Sequence, residues 1–181
     1  MEPLRDILPR DKESDKLNVQ LEKITEDKIS TLKRLVELAA YDLSELSGSK
    51  IDEKGSYITN LNLSAWVDDP NYEPYFIRAD MELAGFVIIK HLTEEDVYYL
   101  NHFFILRKFR RNNIGTTAAI RTFDLYAGNW RVSEFDWNKP AQLFWRKVIK
   151  DYTQNNYVDI RRTDNKGPAQ EFSGRTKYIG S

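Results

Sequence analysis

The run from Phe103 to Ala119, FFILRKFRRNNIGTTAA, admits few backbone paths. Phe103 to Leu106 are apolar and suited to a strand, the residues after them are basic and turn-forming, and Ile114 to Ala119 suit a helix. A buried strand therefore breaks into a turn holding Asn112, Asn113 and Gly115, and a helix opens on that turn. The first amides of such a helix lack intrahelical acceptors and stand at the positive end of its dipole, which suits a phosphate. Gly115 has no Cβ to hold a pyrophosphate off the backbone. Arg107, Lys108, Arg110, Arg111 and Arg121 add positive charge, with no Asp or Glu from residue 107 to residue 121. A solvated basic face has the same composition, so these residues alone leave both readings open.

The charge is local. The whole chain carries a formal net charge of −1, which gives no electrostatic case for nucleic acid or a membrane surface and favours a small anionic ligand. At 181 residues the chain is the size of one domain. Residues 1–15 read as a polar N-terminal extension and residues 16–181 as the domain. With Cys 0 and only His91 and His102 as imidazoles, neither a thiol nucleophile nor a metal site is expected. The N-terminus has no apolar signal core and no stretch approaches a membrane span, so the sequence reads as a soluble, cytoplasmic protein.

Periodicity supplies the frame. Leu17, Val19 and Leu21 alternate with polar residues as in a half-buried strand, and Thr25 then offers an N-cap. Ile29, Leu32, Val36, Ala39, Leu43 and Leu46 form one face of a helix that Ser47-Gly48 ends. Residues 47–74 read as loops with one short helix. Tyr75 to Ala79 and Leu83 to Lys90 read as a hairpin turning through Asp80-Met81-Glu82, and Val97 to Leu106 as the next strand. A helix over residues 114–127 is expected to end on Gly128, and Trp130, Val132 and Glu134 or Phe135 continue as a strand. Asn138 caps a last helix with Pro140 in its first turn. Tyr157 to Arg162 and Lys177 to Ile179 read as closing strands around a loop at 163–174. The order predicts an α/β (mixed α+β) fold with one mixed sheet and helices on both faces.

Two segments also resemble a known family. Arg110-Arg111-Asn112-Asn113-Ile114-Gly115 is similar to the pyrophosphate loop of the GCN5-related N-acetyltransferases, Gln/Arg-x-x-Gly-x-Gly/Ala, with Asn113 where the inner Gly stands. Asn138-Lys139-Pro140-Ala141-Gln142-Leu143-Phe144-Trp145-Arg146-Lys147 resembles the family's Asn-x-x-Ala-x-x-(apolar)-Tyr-x-Lys helix. The run Phe123-Asp124, Gly128, Trp130, Asn138, Ala141, Phe144-Trp145 further resembles a bacterial subgroup of acetyltransferases known only as such. The resemblance spans about Leu17 to Tyr152. It implies a GNAT-like single domain whose central sheet, mostly antiparallel and of about six to seven strands, is splayed at a cofactor slot.

The resemblance implies acetyl-CoA, or another acyl-CoA, as cosubstrate, with no metal. Backbone groups of Phe104, Ile105 and Leu106 would hold the pantetheine arm. Amides of Arg110, Arg111, Asn112, Asn113, Ile114, Gly115 and Thr116 would hold the pyrophosphate. Asn138 would bind the cofactor arm or simply cap its helix. Direct attack by a primary amine needs a base for the ammonium and an acid for the leaving thiolate. His102 is the candidate base. Trp145 replaces the family's usual acid, Tyr, and Tyr152 is the stand-in. Tyr41, Asp42 and Trp66 are candidate acceptor contacts, in a region acidic enough to favour a cationic small-molecule or peptide amine. A homodimer is left open. The other reading is a catalytically impaired acyl-CoA-binding or protein-interaction module. Nucleic-acid binding through Arg161, Arg162, Lys166, Arg175 and Lys177 is weakened by the interspersed Asp164 and Glu171.

Overall fold

The computed structural model describes residues 17–58 and 61–175. The expected N-terminal extension and the strand at Lys177 to Ile179 lie outside the described residues. Seven strands form one sheet: β1 (Val19–Lys23), β2 (Tyr72–Ala79), β3 (Glu82–Leu92), β4 (Val97–Ile105), β5 (Gly128–Ser133), β6 (Val158–Arg161) and β7 (Pro168–Gly174), in the order β1-β2-β3-β4-β5-β7-β6. The helices are α1 (Ile29–Ser47), α2 (Ala65–Asp68), α3 (Ile114–Phe123) and α4 (Lys139–Thr153). None of the described helices is long and apolar enough to cross a membrane.

Alternation in the central strands separates two cores. Phe76, Phe86 and Ile88 point to one face and pack with Leu32, Val36 and Trp66 of α1 and α2. Val87, Ile89 and Trp130 point to the other and pack with Phe123, Trp145 and Ile149 of α3 and α4. The apolar run Ala84 to Ile89 is thus a strand covered on both sides. α1 ends as expected at Gly48, whose φ of 69° is left-handed and whose amide bonds Ser44 O at 2.9 Å. Ahead of it a 3-10 turn, Glu26–Lys28, intervenes, and the Thr25 hydroxyl donates to Asp27 at 2.6 Å and caps no backbone amide.

Four boundaries differ from the sequence expectation. β2 begins at Tyr72, three residues before Tyr75, because Tyr72, Glu73 and Pro74 pair with β3. The hairpin turn is two residues long: Ala79 pairs Glu82, and Asp80 and Met81 both take positive φ, 46° and 70°. α3 stops at Phe123, since the Leu125 amide turns to Thr122 O at 3.1 Å, and Gly128 opens β5 with a φ of 133° instead of ending the helix. β7 occupies most of the expected loop at 163–174. Its Pro168, Ser173 and Gly174 read as loop residues, yet pairing with β5 on one side and β6 on the other makes them a strand.

Candidate active site

β4 and β5 run parallel and pair only at Val97↔Asn129, Tyr98↔Trp130 and Tyr99↔Arg131. β4 continues to Ile105 without β5 beside it, so the sheet opens into a V whose apex is at Tyr99 and Arg131. Register against β3 steps from Ile88↔His102 to Ile89↔Leu100, leaving Asn101 as a bulge in β4 just beyond the apex of the V.

Strand alternation decides which backbone groups face the gap. Leu106 N bonds Ala84 O at 2.8 Å, and Phe104 O lies against Gly85, so both point back to β3. The gap-facing groups therefore belong to Phe103 and Ile105. Of the expected trio Phe104, Ile105 and Leu106, only Ile105 presents its backbone to the slot, and its carbonyl already accepts from Arg110 Nε at 2.8 Å.

At the wide end of the V the chain makes a 3-10 turn, Arg107–Phe109, and then a turn with Arg111 at φ 66° and Asn113 at φ 58°. Asn tolerates this left-handed conformation, which is why it can stand where the family has glycine. α3 follows, with Thr117 N the first to bond, to Asn113 O at 2.9 Å, which leaves the amides of Ile114, Gly115 and Thr116 without acceptors in the helix. The Ile114 side chain is buried in the core. Arg111 and Asn112 are exposed. A Cβ on Gly115 would meet the Phe144 ring at 3.4 Å, so this glycine also lets α3 lie close to α4.

Two carboxylates from distant elements reduce the charge of the turn. Asp42 of α1 accepts from Arg107 Nε and Arg110 Nη2, both at 2.5 Å, and Glu82 pairs with Lys108. Burial opposes ionisation of Asp42, but the bonds to Arg110 and Arg107 outweigh it and hold its carboxyl below the usual range. Four cations at 107–111 less two carboxylates leave about two positive charges on the turn, next to the open amides of α3.

On the α1/α2 face of the V, the His102 ring packs tilted against Trp66, with ring centroids 4.7 Å apart. The residue is exposed at the surface, yet the protein packed around its ring desolvates it and lowers its pKa to about 4. It is a neutral imidazole at neutral pH. At the apex itself, the Tyr99 hydroxyl lies 2.6 Å from Ser133 Oγ, which also accepts from Arg162 at 3.4 Å.

The other expected residues lie elsewhere. Tyr41 is on the outer side of α1, 63% exposed, where it faces Tyr57 across an open groove of about 680 Å³. Asn138 is engaged as the cap of α4, its Oδ1 accepting from Ala141 N at 3.2 Å. Trp145 is buried edge-on to Phe103, centroids 4.9 Å apart. Tyr152 is buried too: its hydroxyl donates to Asp124 and accepts from Arg175 N, each at 2.9 Å, and burial pushes it up to about 12. Asp124 lies just past the C-terminal end of α3, so Tyr152 sits at the far end of the helix from the basic turn.

Sequence reasoning missed Phe103 as a backbone contact, the Tyr99-Ser133-Arg162 group, and Glu134. Glu134 is 4% exposed, neither carboxylate oxygen has a partner among the described residues, and burial raises its pKa to about 8. Its neighbour Gln170, 1% exposed, likewise leaves Oε1 unpartnered. Period-2 alternation with Trp130 and Val132 was the available signal that Glu134 points inward.

Residues 38–149 match the acetyltransferase (GNAT) family. No curated protein gives a significant match to the sequence. Among solved structures, an acetyltransferase from Thermus thermophilus aligns with a TM-score of 0.67 at 14% identity, over 87% of this chain and 98% of that one. PaiA N-acetyltransferase from Thermoplasma acidophilum, solved with coenzyme A, aligns at 0.57 and 13% identity over 86% and 99%. The ribosomal-protein-S18-alanine N-acetyltransferase of Escherichia coli aligns at 0.57 and 9% identity over 91% and 99%.

Proposed function

Because this chain belongs to the acetyltransferase (GNAT) family, we propose that it transfers an acetyl group from acetyl-CoA to a primary amine of a small molecule or peptide by direct attack. The observation that carries the reading is the V between β4 and β5, opening onto the unpaired amides of α3 and a turn with surplus positive charge. That turn would hold the pyrophosphate through the amides of Asn112 to Thr116, assisted by Arg110 and Arg111. Phe103 and Ile105 would pair with the pantetheine arm, whose thioester supplies an activated carbonyl. An amide facing the gap near the Asn101 bulge would polarise it.

His102, neutral beside Trp66, would accept the proton of an approaching ammonium, and Trp66 would bound the acceptor on the same face. A base of such low pKa takes only a small share of the proton in the ground state and acts as the amine commits to attack. Asp42 is reassigned from acceptor contact to the cofactor turn. Acceptors of the kind named for structural relatives, the alanine of ribosomal protein S18 and, for a Vibrio cholerae spermidine N-acetyltransferase chimera, spermidine, are suitable probes.

A second reading, an acyl-CoA-binding module without turnover, has one specific observation in its favour: Trp145 fills the usual acid position and Tyr152 is committed to the core. Calorimetry with acetyl-CoA tests the cofactor assignment. Binding that Arg110→Ala weakens supports it, and no heat at millimolar cofactor refutes it. Turnover across polyamines, aminoglycosides and N-terminal peptides then separates enzyme from binder.

A further inference from the structure

The thiolate that leaves CoA needs a proton, and neither Trp145 nor Tyr152 is placed to give one. The length of the cofactor arm indicates where the proton must be delivered. Between phosphate ester and sulfur the arm has about a dozen chain atoms, the extent of roughly four extended residues or ~14 Å. Laid along β4 from Ile105 toward the apex, it ends beside Asn101. Because β4 and β5 are parallel and Tyr99 pairs Arg131, Ser133 on β5 is level with that same residue. The Tyr99 side chain leans two residues along the strand to reach Ser133 Oγ at 2.6 Å. Its hydroxyl thus stands in the gap at the height where the sulfur arrives, half-buried and on the same face as His102.

We propose, resting on the acetyl-transfer reading above, that Tyr99 is the proton donor to the departing CoA thiolate, with Ser133 and Arg162 holding its hydroxyl at the apex of the slot. The amine nitrogen, having shed a proton to His102 or water, bonds to the thioester carbon. The C–S bond then breaks with both electrons on sulfur. The Tyr99 O–H proton passes to that sulfur, and the phenolate recovers a proton from solvent through the Ser133 hydroxyl. Arg162 donates to Ser133 at 3.4 Å and is shared with Asp164 at 2.7 Å, so a cation faces the transient phenolate. On the same face Arg131 is held between two carboxylates, Glu95 and Glu171, and Lys90, the β3 partner of Tyr99, adds one further cation. Glu134 lies on the opposite face, with Trp130 and Val132.

The test is ultraviolet titration of the CoA thiol bound to the full chain, in wild type and Tyr99→Phe. A hydroxyl donating to the thiolate stabilises it by about 1.5–3 kcal/mol, so the bound thiol should ionise at least tenfold more readily in wild type. With the amine turned over fastest in the acceptor panel, Tyr99→Phe should lower kcat about 10²-fold or more and leave the acetyl-CoA KM unchanged. Ser133→Ala keeps the donor and should show a smaller loss of kcat. Equal thiol titrations in two variants that bind CoA equally well would overturn the role of Tyr99 while leaving the acetyl-transfer reading intact. Failure of the wild type to bind CoA would overturn that reading itself. Equal thermal unfolding of the variants separates either result from a folding defect.

Discussion

A carboxyl with no partner is the most consequential single group outside the slot. Glu134 titrates near 8 in the folded chain against an ordinary glutamate value of 4.5, so folding favours its protonated form. Its contribution to stability is full below pH 4.5 and is lost as pH rises through 8, because ionisation would strand a charge beside Gln170 and under α4. Glu134→Leu removes that liability, and thermal unfolding should show Tm rising most above pH 8 and least below pH 4.5, with ~2–4 °C for each kcal/mol recovered. His102 has the opposite sign. Its folded pKa of about 4 lies below the ordinary 6.5, so its contribution is full above pH 6.5 and is lost as pH falls through 4. The same neutrality sets its kinetics: the pH–rate profile should lack an inflection at 6.5, and His102→Gln should lower kcat about 10²-fold with the Trp66 packing retained. Both residues were visible in the sequence, but not their state. The sequence shows that Glu134 shares a face with Trp130; only the packed neighbours show that burial outweighs the attraction of Arg146 for its charge.

Between elements, the decisive contacts are those with long sequence separation. α1 is tied to the basic turn ahead of α3 by Asp42, across 65 and 68 residues to Arg107 and Arg110. Asp42→Asn should therefore raise the surplus charge of the turn by about one unit. CoA binding should tighten a few-fold at low ionic strength, and the gain should vanish as salt screens it; calorimetry at two salt concentrations is the check. A weaker affinity at both would mean that Asp42 matters by orienting Arg110. Most elements were legible: the stepped apolar face of α1, the two-sided apolar run of β3, and the Asn138-Lys139-Pro140 start of α4 each state their form locally. β7 was not, since Pro168, Ser173 and Gly174 prefer loops and are overruled by strands on both sides. The slot contacts were half legible. A run of apolar residues marks β4, but which of Phe103, Phe104, Ile105 and Leu106 faces the gap depends on register with β3, and register is a property of the pair.

At the scale of the whole molecule, the sheet is two antiparallel blocks, β1 to β4 and β5 to β7, joined by three parallel residue pairs. A ligand lying in the V touches both blocks and bridges what the backbone leaves open. Saturating the chain with acetyl-CoA at a hundredfold excess over Kd should add about 2.7 kcal/mol of stability. For a chain of this size that is roughly 5–10 °C in Tm, measurable by differential scanning fluorimetry. The short junction also bears on the order in which the chain assembles. β2, β3 and β4 close on one another through short turns with eight residue pairs at each seam, whereas β4 meets β5 only after α3 and through three pairs, fewer than any other neighbouring strands of the sheet. The junction should form after that hairpin unit and be the first seam of the sheet to exchange its amide hydrogens, so a nascent chain would complete the V late in folding.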